Sequence, residues 1–262
     1  MSTLPHRAVL TGATGGIGRA IARSLAPSCE WLVVCSRDGA ALAALRNELG
    51  AGRVHAVQGD LTDDATLARV AAQVAELGAP NLLINNAGMG DFHAFESQDA
   101  ARIRALLATN LLAPILLTQR LLPLLRQAPV AQIVNVGSLF GYIGYPGFAA
   151  YAASKSGLRG FTQALRRELA DTPIAVRHFI PRATRTAINS AAVDALNDEM
   201  GTPVDAPEDA AAQLLRFLAG SAWERKPGVK EALLVLLNHA LPGLPDKAIR
   251  GQLPGIRKHM PK

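Results

Sequence analysis

Six short runs of β-branched and apolar residues recur along this chain, each followed by a longer alanine- and leucine-rich stretch, and no other feature narrows the possible folds as far. The runs are RAVLT, WLVVCS, RVHAVQG, NLLIN, AQIVNVGS and IAVRHFI. Helical spacing of the apolar residues between them predicts helices at about 16–27, 39–49, 63–77, 97–127, 148–170 and 207–219. Strand–helix alternation of this kind builds parallel strands joined by right-handed crossovers. The expected fold class is therefore α/β: one doubly wound domain whose mostly parallel sheet is flanked by helices. At 262 residues and 49% hydrophobic the chain can bury a core of that size. No linker or composition shift divides it before about residue 220, so the expected organisation is a body, 1–221, and a C-terminal helical extension, 222–262. In such sheets ligands sit at the carboxyl ends of the strands, which makes the segments leaving each strand the place to look for chemistry.

Composition removes several alternatives. Cys29 and Cys35 are the only cysteines and have no histidines at ligand spacing, so neither a disulfide framework nor a metal site is expected. The most apolar stretch, LLATNLLAPILLTQRLLPLL, is interrupted by Asn110, Pro114, Gln119, Arg120 and Pro123 and is not expected to span a bilayer. The N-terminus leads almost directly into a strand-like run without a charged-then-apolar leader, which favours the cytoplasm. Of the net charge of +6, residues 222–262 carry +5, with eight Lys/Arg against three acids. The body holds nineteen basic against eighteen acidic residues, too balanced for a nucleic-acid-binding face.

The first strand leaves into TGATGGIG, Thr11 to Gly18, where Gly12, Gly16 and Gly18 permit a tight turn around Thr14 and Ile17. Backbone N–H groups and the helix start near Gly16 would receive a pyrophosphate. After the second strand, Ser36 and Arg37 stand where an acid would otherwise accept from both ribose hydroxyls; they can bind a 2′-phosphate instead, which favours NADP(H) over NAD(H). Asp38 beside them can itself reach a ribose. After the third strand, Asp60 and the backbone of Leu61 can hold an adenine edge, or Asp60, like Thr62 and Asp63, can cap the next helix. The fourth strand ends in NNAG, with Asn86, Ala87 and Gly88 small enough for a cofactor to lie against backbone, and the fifth leaves Ser138 at the sheet edge. Tyr151 and Lys155 follow in YAASK, thirteen residues after Ser138, on one face of a helix.

Taken together, TGxxxGIG, the aspartate after the third strand, NNAG, Asn110 within the long helix, Ser138 and YxxxK resemble the short-chain dehydrogenase/reductase family over residues 7 to about 219. The resemblance implies a Rossmann-like fold, a nicotinamide cofactor and an NADP(H)-dependent oxidoreductase that interconverts a carbonyl and an alcohol. Tyr151 would then be the acid/base, its pKa drawn down from about 10 toward neutrality by Lys155 and a positive nicotinamide. Ser138 would hydrogen-bond the substrate oxygen. In the family the lysine also holds the nicotinamide ribose, and the helix asparagine, here Asn110, supports a water chain to it. Pro181 and Thr186 match the family's segment after the sixth strand, where Thr184 or Thr186 would meet the carboxamide or a phosphate. Arg182 replaces the usual glycine there, either facing substrate or paired with an acid. Two other classes compete: a nucleotide-sensing regulatory protein on the same fold, which tends to lose the tyrosine or lysine, and a sugar-nucleotide epimerase, which usually carries TGxxGxxG and a longer substrate domain.

Residues 187–206 would form the family's substrate lid, and contain no aromatic clamp. Many members end in a seventh strand. Here VKEALLVLLNHAL reads instead as a helix, followed by a basic segment punctuated by proline and glycine. This helix either docks on the body or another subunit, or lies in a membrane interface with its basic residues on anionic headgroups. The ending is similar to that of members acting on lipophilic substrates. A small-molecule substrate, a homodimer or homotetramer and no nucleic-acid partner complete the expectation.

Overall fold

The structure, a computed structural model, describes residues 5–261. Seven parallel strands form one sheet: β1 (His6–Thr11), β2 (Cys29–Ser36), β3 (Val54–Gln58), β4 (Leu82–Asn85), β5 (Ala131–Val136), β6 (Ile174–Phe179) and β7 (Glu224–Arg225). Their order is β3-β2-β1-β4-β5-β6-β7. The winding direction reverses between β1 and β4, so the loops leaving these two strands splay apart and open a crevice.

The helices are α1 (Gly16–Leu25), α2 (Gly39–Leu49), α3 (Asp64–Leu77), α4 (Ala100–Leu107), α5 (Ala113–Leu125), α6 (Ala149–Glu168), α7 (Ala191–Glu199), α8 (Pro207–Ala219), α9 (Val229–Ala240) and α10 (Gly243–His259). Strand side chains alternate between two cores. Leu10, Leu32 and Ile84 join Ile21 of α1 and Leu214 of α8 on one face. Val9, Val33 and Leu83 join Leu67 and Val70 of α3 and Leu117 and Leu121 of α5 on the other.

Four features depart from the sequence expectation. The helix expected at 97–127 is two α-helices joined by a π segment, Ala108–Leu112, that turns Asn110 inward; the extra residue per turn locally widens the helix. The continuous run Ala100–Leu125 meets the length and mean hydropathy of a membrane span despite its polar breaks. In this fold, however, Leu117, Leu121 and Leu125 lie in the core beneath the sheet. The tail does supply a seventh strand, because Glu224 and Arg225 pair with His178 and Phe179. Finally, the proline-punctuated basic segment is the helix α10. Its Pro245 occupies the first turn, where a missing N–H costs nothing, while Pro254 is accommodated in the interior. The lid segment 187–206 also contains a helix, α7, capped by the Ser190 side chain accepting from the Val193 N–H.

Candidate active site

The floor of the crevice is a backbone lattice. Thr11 Oγ1 accepts the N–H groups of Asn86 and Ala87, each at 3.0 Å. Asn86 Nδ2 donates back to the carbonyls of Thr11 at 3.0 Å and Gly12 at 3.3 Å. The NNAG and TGATGGIG segments are thus one unit. Gly12 adopts φ +66°, and a Cβ there would stand 2.8 Å from Ala87 Cα; a Cβ on Gly18 would lie 2.0 Å from the Gly12 carbonyl oxygen. Only glycine permits these approaches. At the start of α1, Gly15 provides no side-chain cap, so the first-turn N–H groups of Gly16, Ile17 and Gly18 face outward with the positive end of the helix dipole. This donor set fits a dinucleotide pyrophosphate. Thr186 stands directly over it, its Cγ2 only 2.7 Å from where a Gly16 Cβ would be.

Around the adenosine end, Thr14 and Ser36 share a 2.5 Å hydrogen bond between hydroxyls, and the Arg37 side chain is exposed beside them. Asp38 caps α2 by accepting from the Ala41 N–H at 2.9 Å, which fixes its carboxylate at the helix start. Asp60 accepts from the backbone and hydroxyl of Thr62 at 2.9 and 2.8 Å, closing the turn after β3, while Asp63 caps α3. Leu61 is buried beside Asp60. Thr184 is buried with its hydroxyl donating to the Arg182 carbonyl. Pro181 directly follows the buried Ile180 at the end of β6.

The reacting end gathers Asn110, Ser138, Tyr151 and Lys155. The Asn110 side chain bonds both backbone groups of Met89, accepting from its N–H at 2.8 Å and donating to its carbonyl at 2.9 Å, and donates to Ser154 Oγ at 3.1 Å. A Cβ on Gly88 would stand 3.3 Å from Asn110 Oδ1 and 3.6 Å from Lys155 Nζ, so this glycine keeps the space between them clear. Lys155 Nζ donates to the Val136 carbonyl at 3.0 Å and lies 5.9 Å from the Tyr151 ring centroid. Burial lowers the Lys155 pKa to about 8. Burial also raises the Tyr151 phenol, opposed by its hydrogen bond with Ser138. The lowering expected from the sequence is thus not supplied by the chain's own groups: the ammonium is turned to a carbonyl, and desolvation of a phenolate outweighs one hydrogen bond.

Above Tyr151 lies an aromatic layer that residues 187–206 gave no sign of. Phe92 stacks on Phe148 at 4.8 Å and Phe140 on Tyr145 at 5.3 Å, and Tyr151 meets Phe140 and Phe148 edge-on at 6.3 and 6.1 Å. Leu196 of α7 and Ile256 of α10 are buried in the same cluster, with Met200 and Met260 against it. Glu199 holds the two helices together through Lys258 at 2.7 Å and His259 at 2.6 Å. The signal for this layer was in plain view: LFGYIGYPGFAAY places four aromatics between Ser138 and Tyr151.

A second cluster missed by sequence reasoning supports the Ser138 turn from behind. The His178 ring fills the space a Gly137 side chain would occupy, its Nε2 2.3 Å from that ideal Cβ. Tyr142 Oη bridges His178 Nδ1 at 3.2 Å and the Glu224 carboxylate. Arg159, one turn beyond Lys155 on α6, stacks over the Tyr142 ring at 4.2 Å and pairs with Glu224 at 3.6 Å. Burial acts to raise the Glu224 carboxyl, but His178, Tyr142, Lys226 and Arg159 hold it down at about 2. Arg182 resolves as a pairing residue, 3.5 Å from Asp205 and 3.6 Å from Glu231 of α9.

A family model described as short chain dehydrogenase matches residues 6–197. Among curated proteins, a ketoacyl reductase of Nostoc is 36% identical over 185 residues, covering 69% of this chain and 64% of that protein; the chain spans less than two thirds of the length of the first curated relatives it matches. A short chain dehydrogenase from Burkholderia cenocepacia, solved in complex with NADP, is 32% identical with a TM-score of 0.74 over 83% of this chain and 92% of that one. A relative from Burkholderia phymatum, solved with NAD, has a TM-score of 0.83 over 93% of this chain and 96% of that one at 24% identity, a likeness of fold alone.

Proposed function

The chain belongs to the short-chain dehydrogenase/reductase family, and from that premise we propose that it is an NADP(H)-dependent reductase of lipophilic carbonyls, acyl-chain ketones foremost. The observation that carries this reading is the Tyr151 phenol set beside Ser138 beneath an aromatic and aliphatic layer, at the end of the glycine-lined crevice. A nicotinamide cofactor held there supplies or accepts the hydride. Gly16, Ile17 and Gly18 hold the pyrophosphate through backbone N–H groups, Thr186 closes over it, and Ser36 with Arg37 takes the 2′-phosphate. Asp60 and Leu61 flank the adenine, and Asn86, Ala87 and Gly88 form the floor.

Ser138 orients the substrate oxygen and Tyr151 gives it a proton as the C=O becomes C–OH. Lys155, cationic below about pH 8, faces the space beside Gly88, where it would hold the nicotinamide ribose. Asn110 fixes the Met89 backbone and so the wall of that space. Phe92, Phe140, Tyr145 and Phe148 receive the apolar part of the substrate, and the ketoacyl reductase named among the relatives favours an acyl chain. The same reading takes the active form as a homodimer or homotetramer, in which the exposed Leu112 side of α4 and α5 would be covered.

The test is NADPH oxidation, with NADH as control, across 3-oxoacyl thioesters of increasing chain length, ketosteroids, aldehydes and quinones. Turnover that rises with chain length and prefers NADPH is the expected result. NADPH binding with no turnover on any carbonyl would favour the nucleotide-sensing alternative.

A further inference from the structure

Among the described residues, six of the ten large apolar side chains left exposed fall within 229–244: Val229, Leu233, Leu234, Leu236, Leu241 and Leu244. The three most exposed on α9 lie on one side of it, while Leu234 lies outside that side. At 100° per residue Val229, Leu233, Leu236 and Ala240 share an arc of about 60°. Val229 is 87% exposed, Leu236 62% and Leu233 54%. The opposite side of the helix is anchored: Val235 is buried with Tyr142, Ile143 and Ile180, Asn238 Nδ2 donates to the Tyr142 carbonyl at 3.0 Å, and Glu231 pairs with Arg182. The helix is therefore held in place with its apolar stripe turned outward, a large patch for a chain to leave uncovered.

The surroundings of the stripe carry more exposed basic than acidic side chains, Asp246 being the exposed acid and Glu231 being paired with Arg182. Lys230 borders it on α9, and Lys247 and Arg250 are exposed on the following α10. Residues 222–262 carry nearly all of the protein's net positive charge. Two copies of this face brought together would oppose like charges. An anionic lipid surface instead accepts the leucines below the headgroups and the lysines and arginine among them. We propose that α9, with the start of α10, docks the protein peripherally on anionic bilayers. The neighbouring α10 covers the Tyr151 cluster through Ile256, so the docked face and the cover of the active site are consecutive helices.

The experiment is co-sedimentation of the full chain with vesicles of phosphatidylcholine, with and without phosphatidylglycerol. A version ending near Ser221 would be uninformative because it removes β7 and α10, so point substitutions are used. The unaltered chain is expected to pellet with the phosphatidylglycerol vesicles and to release as salt is raised. Each basic side chain near the surface is worth roughly fivefold in partitioning, so Lys230→Gln with Lys247→Gln should weaken it by about 25-fold. Leu233→Glu with Leu236→Glu should abolish it while circular dichroism and NADPH binding stay unchanged. Failure of the unaltered chain to pellet, equal binding to phosphatidylcholine alone, or undiminished binding by the leucine variant would each overturn the proposal. So would a fall in oligomer size on sedimentation velocity caused by the leucine substitutions, which would assign the stripe to a second copy.

Discussion

The two halves of the active-site crevice are built in opposite ways. On the cofactor side, the β1–α1 turn and the segment after β4 lock together through Thr11, Asn86 and glycine contacts that backbone geometry dictates. On the substrate side, the cover is assembled from Phe92, residues 140–148, α7 and α10, segments far apart in sequence that meet through side-chain packing, the Glu199 ion pairs and a few isolated hydrogen bonds, from His93 N–H to the Gly147 carbonyl, Ala94 N–H to the Pro261 carbonyl and Tyr145 Oη to Gln252 Oε1. The first half tolerates almost no change of shape. The second can be retuned residue by residue, which suits the part of an enzyme that selects among substrates.

Gly18→Ala should break the rigid half most severely. Its Cβ would overlap a backbone oxygen that cannot move without opening the whole turn, at a cost of about 3 kcal/mol. Thermal unfolding should show a Tm lower by roughly 6–12 °C, with NADPH binding lost by titration. Lys155 tests the same half through pH. Burial sets its folded pKa at about 8, below the ordinary 10.5. The unfolded chain therefore binds this proton first as pH falls through that window, and the folded protein gains stability as pH rises from about 8 to about 10.5. The gain is on the order of 3 kcal/mol, and denaturant titrations of Lys155→Met should lack that rise.

Breaking the adaptable half should look different. Ile256→Ala removes a fully buried side chain at the α10 contact and should cost about 2 kcal/mol. Hydrogen exchange should accelerate mainly in α10 and α7, and KM for long acyl substrates should rise while NADPH affinity is kept. The smallest effect on the fold belongs to Arg37→Asp at the exposed rim. It should weaken NADPH binding about 10- to 100-fold, the loss of one or two charge-assisted hydrogen bonds, and leave NADH binding unchanged.

The same contrast explains what could be read before the fold was known. The strand positions and the glycine turn follow from local pattern, since a run such as LVVCS or a turn such as TGATGGIG carries its own conformational constraint. Asn110, Ser138, Tyr151 and Lys155 are brought together because each sits at a fixed distance from a strand end. Their electrostatics were less legible. The direction of the Tyr151 shift depends on how deeply packing buries the phenol and on Lys155 turning to the Val136 carbonyl, neither of which has a local signature. The two-residue β7 was hidden for the same reason: Glu224 and Arg225 have little strand character, and β6 beside them makes the pairing. α10 was obscured by prolines that read as breaks, although Pro245 stands where a helix tolerates one. Arg182 needed its partners, Asp205 and Glu231, to be placed before its role could be chosen.

The central claim is that Tyr151 is the proton donor of a carbonyl reduction. Its most direct test is the steady-state rate of NADPH-dependent reduction of the best acyl substrate by Tyr151→Phe, measured beside the variant's NADPH affinity. The aromatic packing is preserved in this variant and only the hydroxyl is lost. The turnover number should fall by about 10²- to 10⁴-fold with NADPH affinity changed by less than about twofold. A variant that still turns over at near the original rate would contradict it.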